Sequence, residues 1–180
     1  MSDIDLEKYC QRAVEGGVTH AKQVHPSSIV IADWVRWKCQ FGCKGYNRSY
    51  TCPPDSPMPE QTRAMIDEYH RTILFRTEAH PVPDLLERRK ENRKMLVDLE
   101  IEMFKDGYYK AFVFLSGGCG LCDECGKTRG EPCPFGLRVR PSMEACGIDV
   151  YQTARNNGFF IKTLRDKTET RNYFGLMLVD

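Results

Sequence analysis

Several features that would point to a familiar activity are missing from this chain. No apolar run approaches the roughly eighteen residues of a membrane span. The N-terminus, acidic and polar from Met1 to Glu7, lacks the charged, apolar and small-residue succession of a secretory leader. Charge of one sign is not in excess either: 26 basic residues face 25 acidic ones, which argues against the basic surplus of a nucleic-acid binder. No glycine-rich phosphate loop or G-x-G-x-x-G precedes a helix, and Ser116 before Gly117-Gly118 is not in a G-x-S-x-G elbow. His20, His25, His70 and His80 stand singly, so none forms a recognisable zinc or nucleophile pair. Asp55, Glu60 and Glu124 have no partner that the sequence identifies. With no internal repeat and no dividing linker, the expectation is a single domain over residues 1–180, cytoplasmic, with neither membrane nor nucleic acid as partner.

Thiols are what the chain has in abundance. Nine cysteines in 180 residues is an odd and high number, and in a reducing compartment clustered Cys bind metal more often than each other. Cys119, Cys122, Cys125 and Cys133 form C-x2-C-x2-C-x7-C-P. Three thiols in seven residues cannot all bridge one another, but they can face one point if the backbone wraps around it. That spacing is the usual way of holding three irons of a cubane cluster, with a Cys before Pro completing a site. Structural zinc takes four ligands in separated pairs, so a third Cys after two more residues is superfluous to it. Soft thiolates select iron-sulfur or zinc over hard metals, and zinc remains the alternative here.

A second Cys loop precedes it, with Cys39, Cys43 and Cys52 in C-x3-C-x8-C-P-P. Only three thiols are local, so a centre here takes its fourth ligand from Cys10, Cys146, a His or outside the chain. Alternatively Cys133 joins Cys39, Cys43 and Cys52, as the Cys before Pro does in two-cluster ferredoxins, and Cys146 closes the site around Cys119. Cys10 and Cys146 otherwise read as structural. The simplest partition places one four-iron cluster on Cys119, Cys122, Cys125 and Cys133 and a second centre on Cys39, Cys43 and Cys52. Phe41, Tyr46 and Tyr50 are expected to shield a centre from water. Lys127, Arg129, Arg138 and Arg140 are available to offset cluster charge.

The rest of the chain reads as α/β (α+β): a mixed β-sheet with packed helices and two Cys-rich metal-binding loops near one edge. Ile4 to Val14 carries a helical apolar stripe ended by Gly16-Gly17, with Cys10 on the buried face. Ile29 to Trp37 is rich in β-favouring residues and reads as one or two strands. Ser56-Pro57 looks like an N-cap opening a helix to about Tyr69. Thr72 to Phe75 reads as a strand. The longest helix is expected over Pro83 to Phe104, with Gly107 as its stop and Arg88 to Lys94 as a solvated face. Lys110 to Leu115 is a short apolar strand leading into the second Cys loop. Ser142 and Asp149 suit N-caps of two short helices, and Phe159 to Leu164 and Tyr173 to Val179 read as closing strands.

Trp37-Lys-Cys-x3-Cys, Cys52-Pro-Pro, Gly118-Cys-x2-Cys-x2-Cys, Cys133 and Arg140-Pro-Ser-Met-Glu-Ala with Gly147-Ile-Asp-Val occur in that order. In combination they resemble a prokaryotic Cys-rich family described as predicted metal-binding proteins of unknown function. The resemblance runs from about Ile29 to Val179. It implies a cytoplasmic protein, common in anaerobes, with Cys-bound metal and no assigned reaction; its metal residues would be Cys39, Cys43, Cys52, Cys119, Cys122, Cys125 and Cys133. The family pattern often has His after the last Cys of the second loop, where this chain has Pro134-Phe135, and Tyr at the position of Cys146.

The functional expectation is a 4Fe-4S protein that passes electrons to a redox partner protein or activates a partner enzyme. Two alternatives stand beside it: an iron-sulfur enzyme with an open position at Cys39, Cys43 and Cys52, and a zinc-stabilised interaction domain. The C-x3-C-x2-C of radical chemistry on S-adenosylmethionine is not matched, because eight residues separate Cys43 from Cys52.

Overall fold

The computed structural model describes residues 4–81 and 85–180. Helix α1 (Ile4–Glu15) leads to strand β1 (His20–Val24), helix α2 (Asp33–Gly42) and helix α3 (Pro59–Asp67). Strand β2 (Thr72–Ala79), the long helix α4 (Leu85–Lys105) and strand β3 (Phe112–Phe114) follow. After the second Cys loop come helix α5 (Val150–Asn156) and strand β4 (Arg171–Leu178). The class is α+β as expected. The sheet order is β1-β2-β4-β3 and every strand pair is antiparallel. The parallel pairing among the described residues is the isolated bridge between Leu115 and Ser142. No helix among them is long and apolar enough to cross a membrane.

Both faces of the sheet are covered, which explains why its central strands are apolar without alternation. Ile73, Phe75, Val113 and Met177 face Leu6, Tyr9 and Ala13 of α1 and Leu96, Leu99 and Met103 of α4. Leu74, Phe114, Leu176 and Leu178 face the other way, onto Ile66 of α3, Ala154 of α5 and Met143, Cys146 and Ile148. Each such side chain is worth about 1.5–3 kcal/mol relative to exposure, so the two layers hold β3 and the segment after the second loop firmly in place. Cys10 and Cys146 belong to these layers, at 4% and 0% exposure.

Several boundaries agree with the local signals. α1 ends before Gly16-Gly17, α4 ends two residues before Gly107, and Asp149 caps α5 by accepting the Gln152 N–H at 3.0 Å. Ser142 Oγ accepts the Ala145 N–H at 3.1 Å at a single 3-10 turn, Glu144–Cys146. Residues 82–84, where α4 was expected to begin, lie outside the described residues.

Four expectations are corrected. Ile29 to Trp37 is not a strand pair: only Ile31 bridges, to Ile148, and the chain turns into α2 at Asp33. Arg36 on α2 ties the helix to distant segments: its guanidinium donates to the carbonyls of Ser56, Pro57 and Ala145 at 3.2, 3.1 and 2.7 Å. Ser56 is consequently committed to Arg36 and Ala145 and does not cap α3, where Gln61 Oε1 accepts the Met58 N–H at 2.8 Å instead. Phe159 to Leu164 pairs with no strand: Phe159 packs on Phe174 through side chains while Phe160 is exposed. The fourth correction concerns Arg88 to Lys94, which is not a solvated face throughout, because Arg93 is only 9% exposed.

Candidate metal centre

The C-x3-C spacing of the first loop is a helix-end spacing. Cys39 lies in the last turn of α2 and Cys43 is its C-cap, with the Cys43 N–H donating to the Cys39 carbonyl at 3.2 Å. Residues four apart share a helix face, so both thiols leave α2 on one side. The chain then winds through tight turns. Cys52 N–H donates to Ser49 O at 3.0 Å, and Asp55 and Ser56 N–H both donate to Cys52 O. Gly45 N–H points at Cys43 Sγ, 3.3 Å away.

The second loop has a closed neck. Leu115 N–H donates to Pro141 O and Met143 N–H to Leu115 O, both at 2.9 Å, so residues 116–141 leave and rejoin the fold at one point. β3 and the Met143 layer anchor that point. Within the loop, Thr128 N–H and Oγ1 both donate to Cys125 O, and Glu131 N–H returns to Gly126 O at 2.9 Å.

The loops, far apart in sequence, are fastened to each other. Tyr50 Oη donates to Glu131 O at 2.7 Å, and Lys127 forms an ion pair with Asp55. A cavity of about 390 Å³ opens between them, within the usual range of about 300–1,000 Å³ for ligand sites. Cys119, Cys122, Cys125 and Cys133 all line it, opposite Ser49 and Thr51 of the first loop. A second cavity, about 330 Å³, lies on the other side of Cys119 and Cys122, against Val97, Leu115, Leu121 and Phe135. Among the described residues, no three His, Cys, Asp or Glu side chains converge on a single-ion site as they stand.

Electrostatics link the thiols further. Burial raises the Cys39 and Cys52 thiols, and Cys43 adds to both shifts; Ser49 and Thr51 hydroxyls oppose the rise at Cys52. Cys122 is also raised, by desolvation and then by Cys119, Cys125 and Cys133. Cys119 of the second loop adds the smallest contribution to the rise at Cys52. Cys39, Cys43 and Cys52 do not line the cavity, and neither do Cys10 and Cys146. His25 and His80 hydrogen-bond Ser27 and Thr170, while His20 meets Arg76 and His70 meets Asp180.

Two sequence expectations about the surroundings change. Phe41 is 76% exposed, so it shields nothing, while Tyr50 acts by tying the loops together. Lys127, Arg129, Arg138 and Arg140 are each paired with carboxylates: Asp55, Glu124 with Glu131, Asp98, and Glu100. The groups that sequence reasoning missed are Arg89, Arg93 and Glu144. Glu144 Oε2 accepts the Gly117 N–H at 3.4 Å at the neck and acts on Cys39. Nothing in the local pattern separates Arg93 from Arg88 or Lys90; only its phase on α4 relative to Leu96 and Val97 marks it as inward.

No curated protein and no solved structure matches the chain. Four thiols lining one cavity suit a thiophilic metal, and a family model described as "Predicted metal-binding protein (DUF2284)" matches residues 22–179. The chain belongs to that family of predicted metal-binding proteins.

Proposed function

We propose that the protein is an iron-sulfur protein that passes single electrons to a partner protein. Cys119, Cys122, Cys125 and Cys133 would hold a four-iron cluster, and Cys39, Cys43 and Cys52 a second centre. The observation that carries this reading is the shared cavity. Four thiolates on one zinc ion lie about 3.8 Å apart, from a bond length of about 2.3 Å and tetrahedral geometry. The four thiols of the second loop instead line a cavity of about 390 Å³ shared with Ser49–Thr51, which has room for a cluster with several metal atoms. The all-thiol donor set fits the same group.

A cluster of this kind supplies a one-electron couple. The protein's own residues do the rest. Gly45 N–H donates toward Cys43, Ser49 and Thr51 hydroxyls support Cys52, and Tyr50 with Lys127 keeps the loops in register. Exposure supports transfer to a partner: Cys43 is exposed, and Trp37 and Phe41 stand at 67% and 76% exposure on the helix that carries Cys39. Aromatics exposed so near the thiols offer a docking surface.

One observation favours a second reading, an iron-sulfur enzyme. The cavity of about 330 Å³ beside Cys119 and Cys122 has room for a small substrate. It adjoins the second loop rather than the three-thiol loop. Anaerobic purification and reconstitution, followed by optical and paramagnetic spectroscopy, tests both. A visible charge-transfer band and a paramagnetic signal on reduction are expected; a colourless, zinc-only protein would sink both iron readings. A signal that shifts when small molecules are added would select the enzyme. Cys52→Ala and Cys122→Ala made separately should each remove part of the iron, and loss of all iron from either would mean one shared site.

A further inference from the structure

Pairing the charges around the second Cys loop leaves two arginines over. Lys94 and Arg138 are on Asp98, Arg140 on Glu100, Lys127 on Asp55 and Arg129 on Glu124 and Glu131. Arg89 and Arg93 make no ion pair with a carboxylate among the described residues. They stand one turn apart on α4, where like charges share a face and repel. Both reach the neck of the loop. Arg93 Nη1 donates to Ser116 O at 2.5 Å, and Arg89 Nη2 lies 2.8 Å from where a Cβ on Gly117 would be. A Cβ there would displace the guanidinium, and Gly117 also holds a φ of +63°, which favours glycine.

Their surroundings make the arrangement costly as it stands. Arg93 is 9% exposed, and Arg89 Nε is buried with no hydrogen-bond partner. The Tyr173 ring, 4.5 Å from the Arg89 guanidinium, and the Ser116 carbonyl are the neutral groups that receive them. Burial pulls Arg93 down from its ordinary value; Cys119 opposes this, Arg89 adds to it, and Glu144 and Cys52 oppose it at longer range. A buried cation without an anion is strongly unfavourable. Arg89 lines the cavity that Cys119, Cys122, Cys125 and Cys133 share, and Arg93 lines the neighbouring one with Cys119 and Cys122; thiols that take a metal release their protons and become anionic.

We propose that Arg89 and Arg93 form a cationic seat on α4 that receives the negative charge of the metal–thiolate centre at the neck of the second Cys loop. This rests on the metal-centre reading above. The pair is then a device that ties metal binding to the α4 layer: in the metal-free chain Glu144 is the carboxylate that acts on Arg93, without an ion pair, and the remaining charge is matched once Cys119 and its neighbours are thiolates.

Arg93→Met, Arg93→Lys and Arg89→Met in the full chain test this, with metal affinity read by competition against a chelator, once with zinc and once after iron-sulfur reconstitution. Arg93→Met should weaken metal binding about 10- to 100-fold, the usual effect of losing a group that supports metal ligands. It should leave the metal-free melting temperature unchanged or higher. Arg93→Lys should restore most of the affinity. An Arg93→Met protein that binds metal as tightly as the parent, or that melts lower by the same amount with and without metal, would overturn the proposal and reduce Arg93 to a strut for Ser116. If Arg93→Met does not fold, half-buried Arg89→Met carries the affinity test, with a smaller fall expected and an unchanged affinity refuting it. Zinc binding without any iron centre sinks the iron reading and leaves the arginine test intact. An iron centre indifferent to both substitutions sinks the arginine proposal alone, and a chain that takes up neither metal overturns both.

Discussion

Glu100→Gln is the substitution whose cost the structure defines best. Glu100 is 5% exposed on α4 and does two things at once. Its Oε2 accepts the Val113 N–H of β3 at 2.7 Å, and its two oxygens accept Arg140 Nε at 3.0 and 2.9 Å. It thereby joins α4, β3 and the exit of the second Cys loop. Glutamine keeps the size and an acceptor for Val113 but removes the charge opposite Arg140. Breaking one side of a buried pair costs about 3–5 kcal/mol because the other charge is left uncompensated. Arg140 retains the Val139 carbonyl at 2.8 Å and the Phe112 ring at 5.4 Å, which argues for the lower end. A loss of about 3 kcal/mol, at about 2–4 °C per kcal/mol for a chain of this size, lowers the melting temperature by about 6–12 °C. Urea unfolding of the metal-free protein followed by circular dichroism measures it directly. A loss under about 1 kcal/mol, the range of exposed pairs, would refute the claim that this pair anchors the loop exit. In the double variant Glu100→Gln/Arg140→Met the losses should be less than additive, as for residues in direct contact.

Two further predictions concern the thiols. Burial pushes Cys10 up to about 11, with Glu7 adding to the rise, and Cys146 up to about 12. Thiolate is the reactive form, so alkylation of the folded, metal-free protein should modify Cys39, Cys43, Cys52, Cys119, Cys122, Cys125 and Cys133 first and these two only on unfolding; prompt modification of Cys146 would contradict its place in the core. Cys39, Cys52 and Cys122 titrate above the ordinary thiol value through burial and neighbouring thiols. Each must lose a proton to bind metal, so uptake releases protons and apparent affinity should tighten steadily between about pH 6 and 8. A flat profile in a chelator competition would rule out these thiols as ligands.

How much could be read from the chain follows the range of the interaction concerned. The Cys spacing, the apolar runs of β2, β3 and β4, the stripe of α1 and the glycine after α4 are local patterns, and the structure contains each of those elements. The α+β class follows from them. β1 carried no such pattern, because His20–Val24 is an edge strand with one buried residue, Val24, and only pairing with Thr72–Arg76 makes it a strand. Trp34 and Trp37 favour strands locally, yet the segment is helix α2, with Val35 buried and Arg36 on the distant Ala145 carbonyl, contacts that lie outside the local pattern. That helix in turn explains why Cys39 and Cys43 are four apart.

By itself the sequence determined that two thiol-rich loops exist and pointed to soft-metal chemistry for them, since donor type and short spacing are properties of neighbouring residues. Only the tertiary structure decided that the loops meet, through Tyr50 on the Glu131 carbonyl and Lys127 on Asp55. It alone separated the cations already matched by carboxylates from Arg89 and Arg93, which lack such partners among the described residues. The reason is physical: a charge is compensated by whatever lies within a few ångströms of it, and for Arg138 and Arg140 that is Asp98 and Glu100, forty residues away in the chain.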